Sequence, residues 1–504
     1  MKLKKSGLKI GLKDEIGTSS PDRRGTRQGT VRLNAQRADR AKLVIPPIRN
    51  SRKDHRNSFF LNFAVRSAPL FHVTSPTKLS PMKLFFRSTL FLLLLAFPLL
   101  AACSDDHADD VPQPGSVKGR RTVILYMAAE NNLGIDGYLR TDSTEVMKGR
   151  IWLANEDRLL MFIDDEKGSR LYRVTKQNNT PTLVHRWNRK LNAADSETLR
   201  EVCQMTKEQF PAEEYGLVCW SHATGWIPPT PSSTQNVPLK SFGLDRGNEA
   251  AGNSEMLIED FAEAIEASGM HFTYIFFDCC LMQTIETAYA LRHVTERVIA
   301  APMSIAACGA DYESQIRNGL FAKEPAEIAK TYVADAYDPA KRNTYGDWGI
   351  AISCLRTDGL EKLAHTIREL LPQSQLVNKT SPDMNGVLFY QYYGYKQKYR
   401  PHAFDMAATL RRLLPEEAAQ EAVDVLDECL EYYGSGDAIF VGNASFSGFY
   451  VTMPEDRDRF RAVSMFVPQT IYEENANVCP YGDLNLAFQQ TEWYRAAGFD
   501  RTGW

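Results

Sequence analysis

The chain is 504 residues long, two to four domains' worth at roughly 100 to 200 residues per domain, and can bury a large core without disulfide staples. Its 43% apolar and 24% charged residues lie near the soluble globular average, which excludes wholesale disorder, a long coiled coil and a polytopic membrane protein. The formal charge of −3 argues against a nucleic-acid binder but averages two unlike segments: residues 1–81 hold 18 Lys+Arg against 5 Asp+Glu, and the remainder 41 against 57. Residues 1–81 lack helical or strand periodicity and are strewn with Arg, Pro, Ser and Asn. They read as a non-native upstream extension, expected to be disordered; a basic, nucleic-acid-seeking arm is the alternative.

Residues 82–102 open on a new Met, carry Lys83 and Arg87, and run apolar from Leu90 to Ala102. That run is too short to span a bilayer but suits the core of a secretory signal. Its end, Leu100-Ala101-Ala102-Cys103, resembles the lipobox of bacterial lipoproteins. The resemblance implies cleavage before Cys103, lipidation of that thiol, and a protein anchored to the outer membrane of the bacterial envelope, facing the periplasm or the cell surface. A signal works when it emerges first from the ribosome, so Met82 is the expected start. The acidic, Pro/Gly-containing stretch 103–120 then serves as a tether.

From Arg121 onward, apolar β-rich runs alternate with helical-period stretches. The runs are TVILYMAA (122–129), RLLMFID (158–164), YGLVCWSH (215–222), FTYIFFDCC (272–280), RVIAAPM (297–303) and WGIAISC (348–354). Continuous apolar strands imply burial on both faces and hence a mostly parallel sheet. Helices are expected at 196–210, 254–268 and 281–294, giving an α/β fold with the sheet between helix layers. After helices at 359–371 and 415–433, strand-like DAIFV and FSGFYVTMP suggest a smaller α+β region. The expected division is a main domain at 121–380 and an accessory region at 381–504.

Once Cys103 is assigned to lipid, eight cysteines remain, with no C-x-x-C pair and so no zinc-ribbon or thioredoxin spacing. Cys203, Cys219 and Cys354 fall in apolar settings and read as buried thiols. In open α/β sheets ligands gather outside the carboxyl ends of strands. Two strands here end in reactive groups: one delivers His222, the other Asp278, Cys279 and Cys280. Cys280 is expected at the N-terminus of the 281–294 helix, where the dipole favours a thiolate, with an imidazole to take the thiol proton. His precedes Cys by 58 residues. The bland readings are a carbonyl-satisfied His222, an Asp278 that caps the following helix, and Trp220 and Trp226 as packing.

YGLVCWSHATGW, GLDRGNE, FFDCCLMQTIETAYAL and the opening YMAAENNL resemble the His loop, Asp loop, Asp-Ala-Cys-Leu-Met motif and first strand of the clostripain family (C11) of cysteine peptidases. These are caspase-like enzymes, and the likeness covers residues 121–310 well and the rest loosely. It implies a caspase-like αβα sandwich, His222 as base and Cys280 as nucleophile. It also implies Asp278 as the acid receiving an Arg or Lys at P1, the residue before the scissile bond, and backbone N–H groups of Ala223 and Cys280 as the oxyanion hole. The family's Ala is Cys279 here and its Gly after the His is Ala223. Because strand side chains alternate, Cys279 is expected to point into packing while Asp278 and Cys280 share a face.

Between the two strands lies a loop, 227–253, long enough to suggest function or disorder. The resemblance implies self-cleavage there after a basic residue, with Lys240 and Arg246 as candidates. Asp245 reads as a solvated loop carboxylate; lining the cleft or binding calcium is the alternative. No cofactor is required and no transition-metal site is expected, with calcium left open. The sequence therefore reads as a lipid-anchored cysteine endopeptidase acting on peptides with basic P1. The competing reading is a non-catalytic surface lipoprotein that binds peptides on a caspase-like scaffold.

Overall fold

A computed structural model describes residues 118–227, 241–245, 254–338, 340–341, 349–395, 398–443, 447–453, 460–473 and 483–504. Cys103, Lys240 and Arg246 lie outside the described residues, as does the 82–102 segment. Among the described residues no helix is long and apolar enough to cross a membrane.

In chain order the first half contains strand β1 (Gly119–Ala128), helices α1 (Asn132–Ile135) and α2 (Tyr138–Gly149), and strands β2 (Arg158–Asp165), β3 (Gly168–Val174) and β4 (Thr182–Arg186). Next come α3 (Ser196–Gln209), β5 (Ala212–Trp220), the short pair β6 (Phe242–Asp245) and β7 (Ser254–Met256), α4 (Ile258–Ser268) and β8 (Tyr274–Asp278). Helix α5 (Ile285–Ala290), β9 (Arg297–Ala300), α6 (Tyr312–Ser314), α7 (Ala326–Tyr337) and β10 (Ala351–Arg356) follow. The remaining strands are β11 (Phe389–Tyr395), β12 (Lys398–Asp405), β13 (Leu430–Ser435), β14 (Ala438–Asn443), β15 (Ser447–Thr452) and β16 (Ser464–Met465).

Nine strands form one sheet in the order β13-β10-β9-β8-β5-β1-β2-β3-β4. The central five are parallel, and antiparallel strands flank them on both sides. The central strands are buried on both faces because their apolar residues do not alternate with polar ones: β1 buries Val123, Leu125 and Met127 on one side and Ile124, Tyr126 and Ala128 on the other. Helices α3, α4 and α5, with those at Leu360–Leu370 and Glu416–Cys429, cover one face; α2 and α7 cover the other. This is the expected αβα sandwich. Each helix obeys its own pattern. In α3, Asp195 caps the N-terminus through Glu197 N–H, and Leu199, Val202, Cys203 and Thr206 form the buried stripe.

The sheet crosses the expected boundary at residue 380, since β13 pairs with β10. The C-terminal residues also reach the end of β8: Ser464 N–H donates to Gln283 O (2.9 Å) and Phe466 N–H to Glu286 Oε1 (2.8 Å). At the opposite end of the sheet the fully buried Arg121 guanidinium donates to Glu214, Leu320 O and Ala322 O and lies over the Tyr274 ring.

Candidate active site

From β1 the chain passes to β2 on one side, whereas β5, β8 and β9 extend the sheet on the other. The strand order therefore reverses beside β1, and a crevice opens at the carboxyl ends there. Register aligns three strand ends at that crevice. Met127 of β1 pairs with Trp220 of β5, and Trp220 pairs with Asp278 of β8. His222 and Cys280 thus each stand two residues beyond paired positions on neighbouring parallel strands, which run roughly 4.8 Å apart.

The alternation expected at the end of β8 holds. Cys279 is buried in the opposite layer, with its thiol against Cys219 O (3.1 Å), and burial pushes that thiol well above its ordinary range. Cys280 is half-buried on the Asp278 side, where Ile305 N–H donates to Sγ at 3.4 Å. Cys203, Cys219 and Cys354 are buried free thiols, and Cys279 and Cys280 are not bonded to each other.

One expectation fails. Helix α5 begins at Ile285 under a Thr284 cap, so Cys280 is not at a helix N-terminus. Residues 281–284 are held out of helical geometry by Leu281 N–H to Met303 O (3.0 Å) and Gln283 N–H to Ala301 O (3.1 Å). Leu281 takes a left-handed φ of 62°, strained for a residue with a Cβ. Without the helix end, burial dominates and raises the Cys280 thiol, with Ile305 N–H pulling the other way. The same boundary rules out the capping role for Asp278.

Among the described residues, neither Ala223 N–H nor Cys280 N–H donates to a backbone carbonyl. Ala223 forms an isolated bridge with Phe242, but its hydrogen bonds run through Thr224 N–H to Ser241 O and Gly243 N–H to His222 O. His222 Nε2 lies 2.8 Å from Asn132 Oδ1, a residue whose role sequence reasoning missed.

Asp278 is 3% exposed. Its carboxylate accepts Ala310 N–H at 3.0 Å and the Tyr312 hydroxyl at 2.8 Å, and burial lifts it to about 6 against those donors. Gly309 makes this closeness possible: its φ is +58°, and a Cβ there would fall 2.5 Å from Asp278 Oδ2. Two further carboxyls share this layer. Asp142, 0% exposed, accepts Trp220 Nε1–H at 2.6 Å; burial, then the charges of Asp278 and Glu145, push it to about 9. Glu145, one turn along α2, accepts Tyr312 N–H and is raised to about 7, again chiefly by burial. Trp220 and Trp226 are packing residues, the latter set edgewise on Phe466 and Phe488.

Asp245 is not solvated. It is 2% exposed and lies with Glu130 and Asp164 so that their carboxylate oxygens fall within 4.8 Å of one another. Ala193 N–H donates to both Asp164 and Asp245, and Lys190 pairs with Glu130 at 2.9 Å. Burial and the Asp245 charge raise Asp164 to about 7. Such a set of oxygens suits a hard divalent cation.

Residues 125–412 match the profile of the clostripain family, peptidase C11. Among solved structures, the chain is similar to a secreted C11 cysteine protease from Bacteroides thetaiotaomicron in complex with an irreversible peptide inhibitor. That likeness has 26% identity and a TM-score of 0.62 over 76% of this chain and 99% of that one. An inactive zymogen C11 protease from Parabacteroides distasonis shares the fold at 23% identity and TM-score 0.60, again over 76% and 99%. A third, a secreted C11 cysteine protease from B. thetaiotaomicron called iotapain, shares it at 19% and 0.59, over 76% and 100%. No curated protein matches the chain.

Proposed function

Because this chain belongs to the clostripain family of cysteine peptidases, we propose that it is an endopeptidase cutting after Arg or Lys through a Cys280/His222 dyad. The observation that supports this reading is the register: His222 and Cys280 each follow by two residues the paired Trp220 and Asp278 on neighbouring strands. His222 takes the thiol proton as Sγ attacks the scissile carbonyl. The N–H groups of Ala223 and Cys280 hold the oxyanion. The imidazolium then protonates the leaving amine, and water, with His222 again as base, releases the acyl group. No cofactor is required by these steps.

Asp278 is the proposed P1 acid. It shares the nucleophile's face two residues upstream, and the carboxyls of Asp142 and Glu145 lie in the same layer. Its burial means that a guanidinium or ammonium enters only as the Ala310–Tyr312 segment yields. The pairing then replaces two neutral donors with a charge-assisted contact. The test is hydrolysis of quenched peptides with P1 Arg, Lys or Ala. Wild type should prefer the basic residues, and Asp278→Asn should lose about 10²-fold in kcat/KM on them while P1-Ala cleavage changes little. A wild type that prefers P1-Ala removes Asp278 from this role; a wild type without turnover under reducing conditions favours the peptide-binding scaffold.

The same chemistry would cut this chain after Lys240 or Arg246. We place the mature protein on the envelope through lipid on Cys103. Detergent-phase partitioning of the native product, shifted to the aqueous phase by Cys103→Ser, checks the anchor; partitioning that survives the substitution argues against it. Calcium would be held by Glu130, Asp164 and Asp245, where it would neutralise crowded carboxylates beside the β1 and β6 ends. Calcium should then raise the melting temperature of wild type and not of Asp164→Asn; an equal rise in both counts against the site.

A further inference from the structure

Two adjacent amides follow β1, and the structure uses them differently. Asn131 is a fully buried clamp. Its Oδ1 accepts Leu133 N–H at 2.9 Å, capping α1, and its Nδ2 donates to Ala128 O (2.8 Å) and Leu244 O (2.9 Å). Ser221, the residue before His222, joins the same knot: its hydroxyl donates to Ala128 O at 2.9 Å and accepts Leu244 N–H at 3.2 Å. The end of β1, the His222 loop and β6 are therefore tied together by buried hydrogen bonds. Asn132 is the next residue. Its backbone is fixed by that knot, and its half-buried side chain reaches the imidazole at 2.8 Å.

An amide oxygen can only accept, so this contact requires the proton on Nε2 and leaves the lone pair of the neutral ring on Nδ1. We propose that Asn132 is the positioning residue for His222, fixing its ring and its tautomer so that Nδ1 is the base presented to the Cys280 thiol. The inference rests on the peptidase reading above. Lateral order supports it, because β1, β5 and β8 are neighbours and deliver Asn132, His222 and Cys280 in that sequence across the crevice. The choice of amide over carboxylate also has a chemical consequence. When Nδ1 takes the thiol proton, the Nε2–H bond to Asn132 becomes charge-assisted and strengthens. A neutral partner does not trap the imidazolium as an anion would, so the ring can hand the proton on to the leaving amine.

The test compares Asn132→Leu, of similar size but without an acceptor, with Asn132→Asp, which keeps one. On a P1-Arg peptide, Asn132→Leu should lower kcat by about 10²-fold with KM unchanged, while Asn132→Asp, which keeps the acceptor but holds the imidazolium more tightly, recovers only part of that loss. Nitrogen NMR of the His222 ring in wild type should show a protonated Nε2 and a bare Nδ1, and Asn132→Leu should mix the tautomers. Wild-type kcat in Asn132→Leu, equal impairment of both variants, or a proton on Nδ1 in wild type each overturns the assignment. The ring spectrum needs no turnover, so an inactive wild type would sink the peptidase reading while leaving the role of Asn132 decided by NMR.

Discussion

Cys280→Ala is expected to lower peptide hydrolysis by at least about 10³-fold, whereas Cys279→Ala keeps most of the activity. The two thiols are neighbours in sequence but lie in opposite layers of the fold. Cys279 donates to Cys219 O inside the packed face, and removing its sulfur leaves a small void that costs about 1 kcal/mol of stability without touching the crevice. Cys280 lies on the Asp278 side, half-buried, one residue before the strained Leu281. Burial raises its pKa, and no helix end opposes this. Its activity therefore depends on His222, and His222→Ala should cost as much as Cys280→Ala rather than adding to it in the double variant. Mass mapping of iodoacetamide labelling supplies the second readout. Cys280 should be the modified residue of the pair, and the Cys280→Ala protein should accumulate as one uncut chain. An active Cys280→Ala with an inactive Cys279→Ala would reassign the nucleophile.

The parts of this site that were legible in the sequence are those written by local pattern. Apolar runs ending in SH and DCC marked the ends of β5 and β8, and the period of two separated Cys279 from Cys280. What pattern could not show was partnership across the fold. The stretch after Cys280 has a helical composition, yet Ala301 and Met303 take its N–H groups and delay α5 to Ile285. Asp245 sits among Gly, Arg and Asn and looked solvated, but Ala193 N–H and its carboxylate neighbours bury it. Asn132 was visible only as part of YMAAENNL; its use depends on β1 lying beside β5, which follows from strand order and not from spacing. Asp142, inside a helix beside Ser and Thr, carried no signal at all: its burial comes from Trp220 on the adjacent face.

That concealed carboxyl leads to the second large effect, a melting temperature that falls as pH rises from about 5 to 9. Asp142, Glu145, Asp278, Glu286 and Asp405 are all raised, chiefly by burial, to about 9, 7, 6, 7 and 6. In the unfolded chain such groups ionise near 4. Between the two ranges the native state binds more protons than the unfolded state, so unfolding releases protons and stability declines with pH. The window opens near pH 4, closes for Asp278 near 6 and stays open for Asp142 to about 9. Carboxylates shifted the other way, such as Glu197 beside Arg200, are at the surface and oppose this weakly. Asp142 dominates the alkaline end because it is fully buried and its Oδ1 has no hydrogen-bond partner. Asp142→Asn keeps an acceptor for Trp220 Nε1–H and places an N–H₂ where the orphaned oxygen stands. Each pH unit in the window is worth up to about 1.4 kcal/mol for this one group. The variant should therefore melt several degrees higher than wild type at pH 8, and the two curves should converge as the pH approaches 4. Parallel melting curves across that range would mean that Asp142 ionises in the native state as it does in the unfolded one, and the carboxyl layer behind Asp278 would then carry full negative charge at rest.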